Sequence, residues 1–337
     1  MQVKISQATR MIIAFIKAGL VPMLVGSPGC GKSQIVHKIA EEYGLKMIDL
    51  RLSQCDPTDL SGFPTTKGNK AGYLPMETFP IEGDKIPEGF NGWLLFLDEM
   101  NSASPAVQAA AYKLILDKMV GIYKLHKNVA IVCAGNLETD NAIVQPMSTA
   151  LQSRMCHLEL MLDYKEWIDW ANDNVLDHRL PSYIAFKPGN LFTFTPDHTD
   201  KTYACPRTWE FANRILKVTD DDSKDRVPML AGTLSEGVAR EFISFCKIQD
   251  TLPKMHELIA NPKTIPVSQE PSVLYALTGA ISHHANKDNF NELIQYVERI
   301  PIEFQVVCLR SVVRRNKTML AHPATRSWIA SNATELF

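Results

Sequence analysis

Val21-Pro-Met-Leu-Val25 runs straight into Gly26-Ser27-Pro28-Gly29-Cys30-Gly31-Lys32-Ser33, and this passage decides how the rest of the chain is read. An apolar run, then G-x-x-x-x-G-K-[ST], then a helical pattern is the strand–loop–helix context of a phosphate-cradling loop. Gly26, Gly29 and Gly31 let the backbone curl so that successive N–H groups face phosphate oxygens, with Ser27, Pro28 and Cys30 completing the curl. Lys32 is placed to neutralise β and γ phosphates, and the Ser33 hydroxyl to ligate Mg²⁺. The other half of such a site is an apolar strand that ends in acid, and Trp93-Leu-Leu-Phe-Leu-Asp98-Glu99 supplies one. Asp98 is expected to hold the water shell of the metal, and Glu99 to orient or deprotonate an attacking water. A strand must end in something polar, so the acidic pair means little alone. Together with the loop upstream it predicts a nucleoside-triphosphate site.

Working outward, Val21–Val25, Lys46–Leu50, Trp93–Leu97, Val129–Ala134 and Cys156–Met161 are short apolar runs, and helical patterns at Ser33–Tyr43 and Pro105–Lys118 lie between them. The alternation predicts an α/β core with a five-stranded, mostly parallel sheet. Ser104 is a candidate N-cap, with Pro105 in the first turn where a missing N–H is harmless. Residues 53–92 are dense in proline and glycine and predict a looped insertion, which in a compact domain is more often functional than idle. Beyond residue 160 the strand runs stop. Helices are expected at Asp163–Asn172, Arg207–Val218, Gly237–Ile248, Ser272–Ala285, Asn291–Arg299 and Ile302–Arg314, with the acidic run Thr219–Asp225 as a solvated loop. The expected division is a core over 1–160, a helical lid over 161–250 and a helical extension over 251–337.

Composition narrows the function classes. In 337 residues, 35 basic side chains face 37 acidic ones, for a net charge of −2, so wholesale polyanion binding is disfavoured. The seven cysteines are scattered with no Cys-x-x-Cys, which disfavours a disulfide framework or zinc site and fits a reducing cytosol. Lys4 and Arg10 ahead of Met11–Ile16 briefly suggest a signal peptide. Lys17 interrupts the run and no small-residue cleavage site follows, so an amphipathic helix is expected instead. No window approaches the ~20 apolar residues that span a bilayer. The expectation is a cytoplasmic protein with no membrane partner.

With the loop and acidic strand in place, the sequence resembles an AAA+ ATPase of the MoxR type. The resemblance runs through Asp49–Gly62, Leu97-Asp-Glu-Met-Asn-Ser-Ala103, Cys133-Ala-Gly-Asn-Leu-Glu-Thr-Asp140, Leu151-Gln-Ser-Arg-Met155 and Cys205-Pro-Arg-Thr-Trp-Glu-Phe211. It implies that Asn136 is the sensor 1 amide, positioning water against the γ-phosphate. It implies that Arg154 is an arginine finger pointing into a neighbouring subunit, where a guanidinium stabilises charge gathering on the γ-phosphoryl oxygens. Met155 follows Arg154 where the family usually has an aromatic. Arg207 matches sensor 2 at the start of a helix whose Trp209, Ala212 and Leu216 can pack inward. The resemblance further implies ATP with Mg²⁺, a self-assembled ring (a hexamer), a partner with a von Willebrand factor A domain, and remodelling of a client protein complex. The residues alone leave ATP and GTP both open.

The resemblance implies an extra hairpin within 53–92, and a second is expected at Met119–His126; both are candidate effector surfaces, with Phe63, Tyr73 and Tyr123 as candidate grips or local packing anchors. Cys30 beside a helix N-terminus is a candidate low-pKa thiol. Adjacent His283 and His284 do not share a helix face and make a poor metal pair, and Trp167 with Trp170 reads as helical core. A nucleic-acid-stimulated motor is the rival reading, and a nucleotide-gated scaffold that hydrolyses little is a third. Intact Glu99 and Asn136 argue against the scaffold.

Overall fold

The computed structural model describes residues 2–140, 145–248 and 251–332. The chain divides into two compact units, Met1–Leu162 and Asp163–Phe337.

The first unit is built on a parallel sheet. Its strands are β1 (Gln2–Lys4), β2 (Pro22–Val25), β3 (Leu45–Arg51), β6 (Gly92–Asp98), β9 (Val129–Gly135) and β10 (Cys156–Met161), with hairpins β4–β5 (Phe63–Lys67, Lys70–Leu74) and β7–β8 (Met119–Val120, Tyr123–Lys124) outside it. The sheet order is β1-β10-β2-β9-β6-β3, and every pairing is parallel. All five expected apolar runs are strands in it. The sixth, β1, is an addition the sequence did not signal: it has three residues, of which only Val3 faces the interior.

Residue alternation divides the apolar content between two faces. Trp93, Leu95 and Leu97 of β6 join Ile131 and Cys133 of β9 on one side, against Val107, Ala111, Leu114 and Ile115 of the helix Pro105–Asp117. Leu94 and Phe96 join Val132, Ala134, Leu158 and Leu160 on the other, against the helices Lys32–Glu42 and Ile5–Lys17. The Ile5–Lys17 helix is the amphipathic one expected, with Ala8 and Ile12 buried. Ser104 caps Pro105–Asp117 by accepting from the Val107 N–H at 3.4 Å.

Residues 53–92 contain no long regular element, as their breakers predict, and they contain the expected hairpin as β4–β5. A Cβ on Gly62 (φ 94°) would lie 2.4 Å from the Leu74 carbonyl oxygen, so the hairpin can close only over a glycine. Phe63, Tyr73 and Leu74 are exposed on it, and Ile122 on the other hairpin.

The second unit is helical in its described residues. The six expected helices occur within two residues of their predicted ends, and four more lie between or beyond them: Arg179–Phe186, Arg226–Leu234, Met255–Ala260 and Pro323–Ser331. Trp167, Tyr183, Trp209 and Phe242 centre one apolar cluster, and Leu277, Phe290, Val297, Cys308 and Trp328 belong to a second. Trp167 is therefore core, with Trp170 packed against the same cluster. The acidic run needs correction in one respect. It is largely exposed, but Asp221 accepts from both Arg179 and Arg226, so the loop is pinned to the helices beside it. Among the described residues no helix is long and apolar enough to cross a membrane.

Candidate functional site

The site forms where β2, β6 and β9 end side by side. Parallel pairing makes this unavoidable: Val25 registers with Gly135, and Leu97 with Cys133, so the loops that follow all leave from one edge of the sheet. This edge is where open α/β sheets bind ligands.

After β2 the chain turns through Gly29 and Gly31, both left-handed (φ 76° and 97°), into the helix Lys32–Glu42. Gly31 stands at its N-cap and has no side chain with which to satisfy the first N–H groups. Gly26 is held to β9 by its N–H on the Gly135 carbonyl (3.4 Å). A Cβ there would meet Cys30 Sγ at 3.0 Å and Leu160 Cβ at 3.3 Å. Cys30 is buried in the loop's underside, packed with Ile35 and Leu160.

Lys32 is buried, and its ammonium donates to the Gly26 carbonyl (2.5 Å), the Ser27 carbonyl (3.2 Å) and Asn136 Oδ1 (3.1 Å). Ser33 Oγ donates to Asp98 Oδ2 at 3.1 Å, while Asp98 Oδ1 accepts the Glu99 N–H at 2.8 Å. Four residues from three separate stretches, Lys32, Ser33, Asp98 and Asn136, are thus brought together at the ends of the strands.

Glu99 has φ 56°, a left-handed conformation that costs a non-glycine residue about 1–3 kcal/mol and concentrates at functional sites. Its Oε2 accepts from the Ser53 hydroxyl, in the short turn Leu52–Gln54 that follows β3. Sequence reasoning missed Ser53, although it lies in the Asp49–Gly62 stretch that carries the resemblance.

Asn101 was also missed as a functional residue, although it lies in one of the stretches that carry the resemblance. It is buried, accepts the Asn136 N–H (3.0 Å) and donates to the Asn136 carbonyl (2.7 Å).

Arg154 donates to the Ala150 carbonyl (2.6 Å) and Ser153 Oγ (3.1 Å), with its guanidinium 4.9 Å from the Tyr112 ring centre. Arg207 belongs to the second unit, exposed as the second residue of the helix Pro206–Val218, whose Trp209, Ala212 and Leu216 are buried as its pattern predicts.

The donor set suits a hard divalent cation. The Ser33 hydroxyl and Asp98 carboxylate converge, and among the described residues no cluster of three His, Cys, Asp or Glu is arranged for a metal. Mg²⁺ takes one or two protein oxygens and completes its shell with phosphate and water, so two oxygen ligands here fit it.

Residues 22–158 match the family model described as ATPase family associated with various cellular activities (AAA). Among solved structures, similar chains include a conjectural ATPase of Cytophaga hutchinsonii, at 15% identity and TM-score 0.36, covering 96% of this chain and 87% of that one. Two others are the RuvB Holliday junction branch migration motor of Thermotoga maritima and a mutant form of RuvB from the same organism. The motor has 14% identity, TM-score 0.37 and coverage of 88% of this chain and 86% of that one. The mutant has 16% identity, TM-score 0.40 and coverage of 85% and 83%. At these identities and TM-scores the likeness says nothing about reaction, substrate or assembly.

Proposed function

We propose that this chain, which carries a match to the AAA ATPases across residues 22–158, is a Mg²⁺-dependent ATP hydrolase of the MoxR type that works as a ring to remodel a protein complex. The observation that carries the reading is the convergence of Lys32, Ser33, Asp98 and Asn136 at the ends of three strands. In this scheme Gly26–Gly31 wrap the phosphates with backbone N–H groups, and Lys32 exchanges internal carbonyls for phosphate oxygens. Ser33 and Asp98 hold Mg²⁺, which when bound neutralises charge on the phosphate oxygens. Glu99 accepts a proton from the attacking water, with Ser53 fixing its carboxylate beforehand, and Asn136 orients that water.

Arg154 acts in trans. Its exposed position and attachment to Ala150 and Tyr112 leave it on its own subunit's surface, available to a neighbour. Arg207 reports nucleotide state through the lid, residues 161–250, with 251–337 as an extension of it. The ring is a hexamer in a cytoplasmic setting, partnered by a protein with a von Willebrand factor A domain.

Mass photometry with phosphate release, on wild type and Arg154→Ala with and without ATP–Mg²⁺, tests the scheme. The expected result is wild-type hexamers that hydrolyse ATP and a variant that does not. Monomers with equal activity in both proteins would sink the ring. Hydrolysis raised many-fold by DNA or RNA would favour a nucleic-acid motor over the remodeller.

A further inference from the structure

We propose that Asn101 is a positioning residue for hydrolysis: it fixes the backbone of Asn136 and thereby the amide that lies on Lys32. This rests on the ATPase reading of the site. β9 ends at Gly135, where its last registers are Cys133 with Leu97 on one side and Gly135 with Val25 on the other. Asn136 therefore lies just past the strand ladder, yet its main chain is still satisfied, because both ends of the Asn101 amide substitute for the missing strand. Of the neutral side chains, only asparagine and glutamine present a donor and an acceptor side by side in this way, and glutamine is a methylene too long.

The fit extends to the neighbours. A Cβ on Gly135 would stand 2.4 Å from Asn101 Oδ1 and 2.8 Å from Met23 Cε, so only glycine admits the clamp. Asn101 is 4% exposed and sits in the single turn Met100–Ser102 that follows Glu99, with Met100 fully buried beneath it. Its own carbonyl accepts the Gln145 N–H at 2.6 Å. One residue therefore ties the turn after the hydrolytic acid to the amide on Lys32 and to the segment leading to Arg154. Loosening it would leave the nucleotide's phosphate contacts in place while releasing the amide that orients water, so it should alter turnover and not affinity.

The test is a double-mutant cycle of Asn101→Ala and Asn136→Ala, with Asn101→Asp as a near-isosteric variant that keeps the acceptor and removes the donor. For each protein, kcat, KM and ATP–Mg²⁺ affinity are measured alongside thermal unfolding. Both Asn101 variants are expected to lower kcat by about 10- to 100-fold, as losing a hydrogen-bond partner behind a metal ligand does, with unchanged affinity. The double variant is expected to be no slower than Asn136→Ala alone. Wild-type kcat in a folded Asn101→Asp protein, or losses that multiply in the double variant, would overturn the proposal alone. Wild-type kcat in Asn136→Ala would overturn the site reading and the proposal with it.

Discussion

Two of the molecule's polar clusters, one in each unit, are built differently. At the end of the sheet, Lys32, Ser33, Asp98 and Asn136 come from three strand ends and meet at an edge. In the helical unit the corresponding group is half-buried among neighbouring helices and saturated with internal partners. Arg315 donates to Asn172 Oδ1 (2.9 Å) and the Leu176 carbonyl (2.6 Å), Arg179 pairs with Asp177 at 2.7 Å, and His178 stacks on His283 with ring centres 4.8 Å apart. Burial is the largest influence on His178 and pushes it down to about 4, against the opposing pull of Asp177. Burial alone would raise Asp177, but the hydrogen bond and charge of Arg179 hold it below the ordinary carboxylate range. Burial also pushes the nearby Cys246 thiol up to about 12. Perturbed titration is often taken as a sign of chemistry. Here it marks a network whose partners are all supplied from within the fold. Both clusters join separate chain segments; what sets the sheet end apart is its place at the edge from which the loops after parallel strands leave, where open α/β sheets bind ligands.

If that contrast is right, substitutions at the sheet end change rates and those in the helical network change stability. Glu99→Gln is expected to cut phosphate release by about 10²- to 10⁴-fold while ATP affinity and unfolding temperature hold. A large stability loss instead would place Glu99 in the structural class. Arg179→Leu leaves the half-buried Asp177 carboxylate without its guanidinium partner and is expected to cost about 2 kcal/mol in urea unfolding, with ATP affinity of the folded protein intact. An affinity that fell in step would erase the distinction.

His178 sharpens the contrast through pH. Its folded pKa of about 4 lies below the ordinary 6.5, so the unfolded chain takes up a proton that the folded one refuses. The stability from keeping it neutral is complete above pH 6.5 and is lost as pH falls from 6.5 towards 4, about 2 kcal/mol of it by pH 5. His178→Gln should flatten that slope in unfolding curves taken between pH 7 and 5, and an unchanged slope would reject the assignment. Smallest is Ser104→Ala, which removes a cap and should cost about 1 kcal/mol at constant hydrolysis.

Much of the first unit was legible because its determinants are local. Five strands advertise themselves as apolar runs, and a phosphate loop is a contiguous string whose glycines have a stereochemical reason. The residues that sequence reasoning missed act over long separations. Asn101 reaches Asn136, and Ser53 reaches Glu99, only because β3, β6 and β9 lie next to one another, and strand order is not written in any one strand. β1 escaped for the opposite reason, since Gln2-Val-Lys4 is too short to show a period. In the second unit, Arg179–Phe186 and Arg226–Leu234 escaped because Pro181 and Pro228 look like breakers. Each is the third residue of its helix, where proline has no intrahelical hydrogen bond to lose.

The sheet order also bears on how the chain is made. β2 is paired on one side by β9 and on the other by β10, both of which leave the ribosome roughly a hundred residues or more after it. At about 5–20 residues per second, the strand that leads into the phosphate loop waits roughly five to twenty seconds with both edges bare. β1 waits longer still, since its one neighbour is β10. Synthesis must therefore pass residue 135 before either edge of β2 can pair and residue 159 before both can, and until then Met23-Leu24-Val25 is an apolar segment that a nascent-chain chaperone can hold.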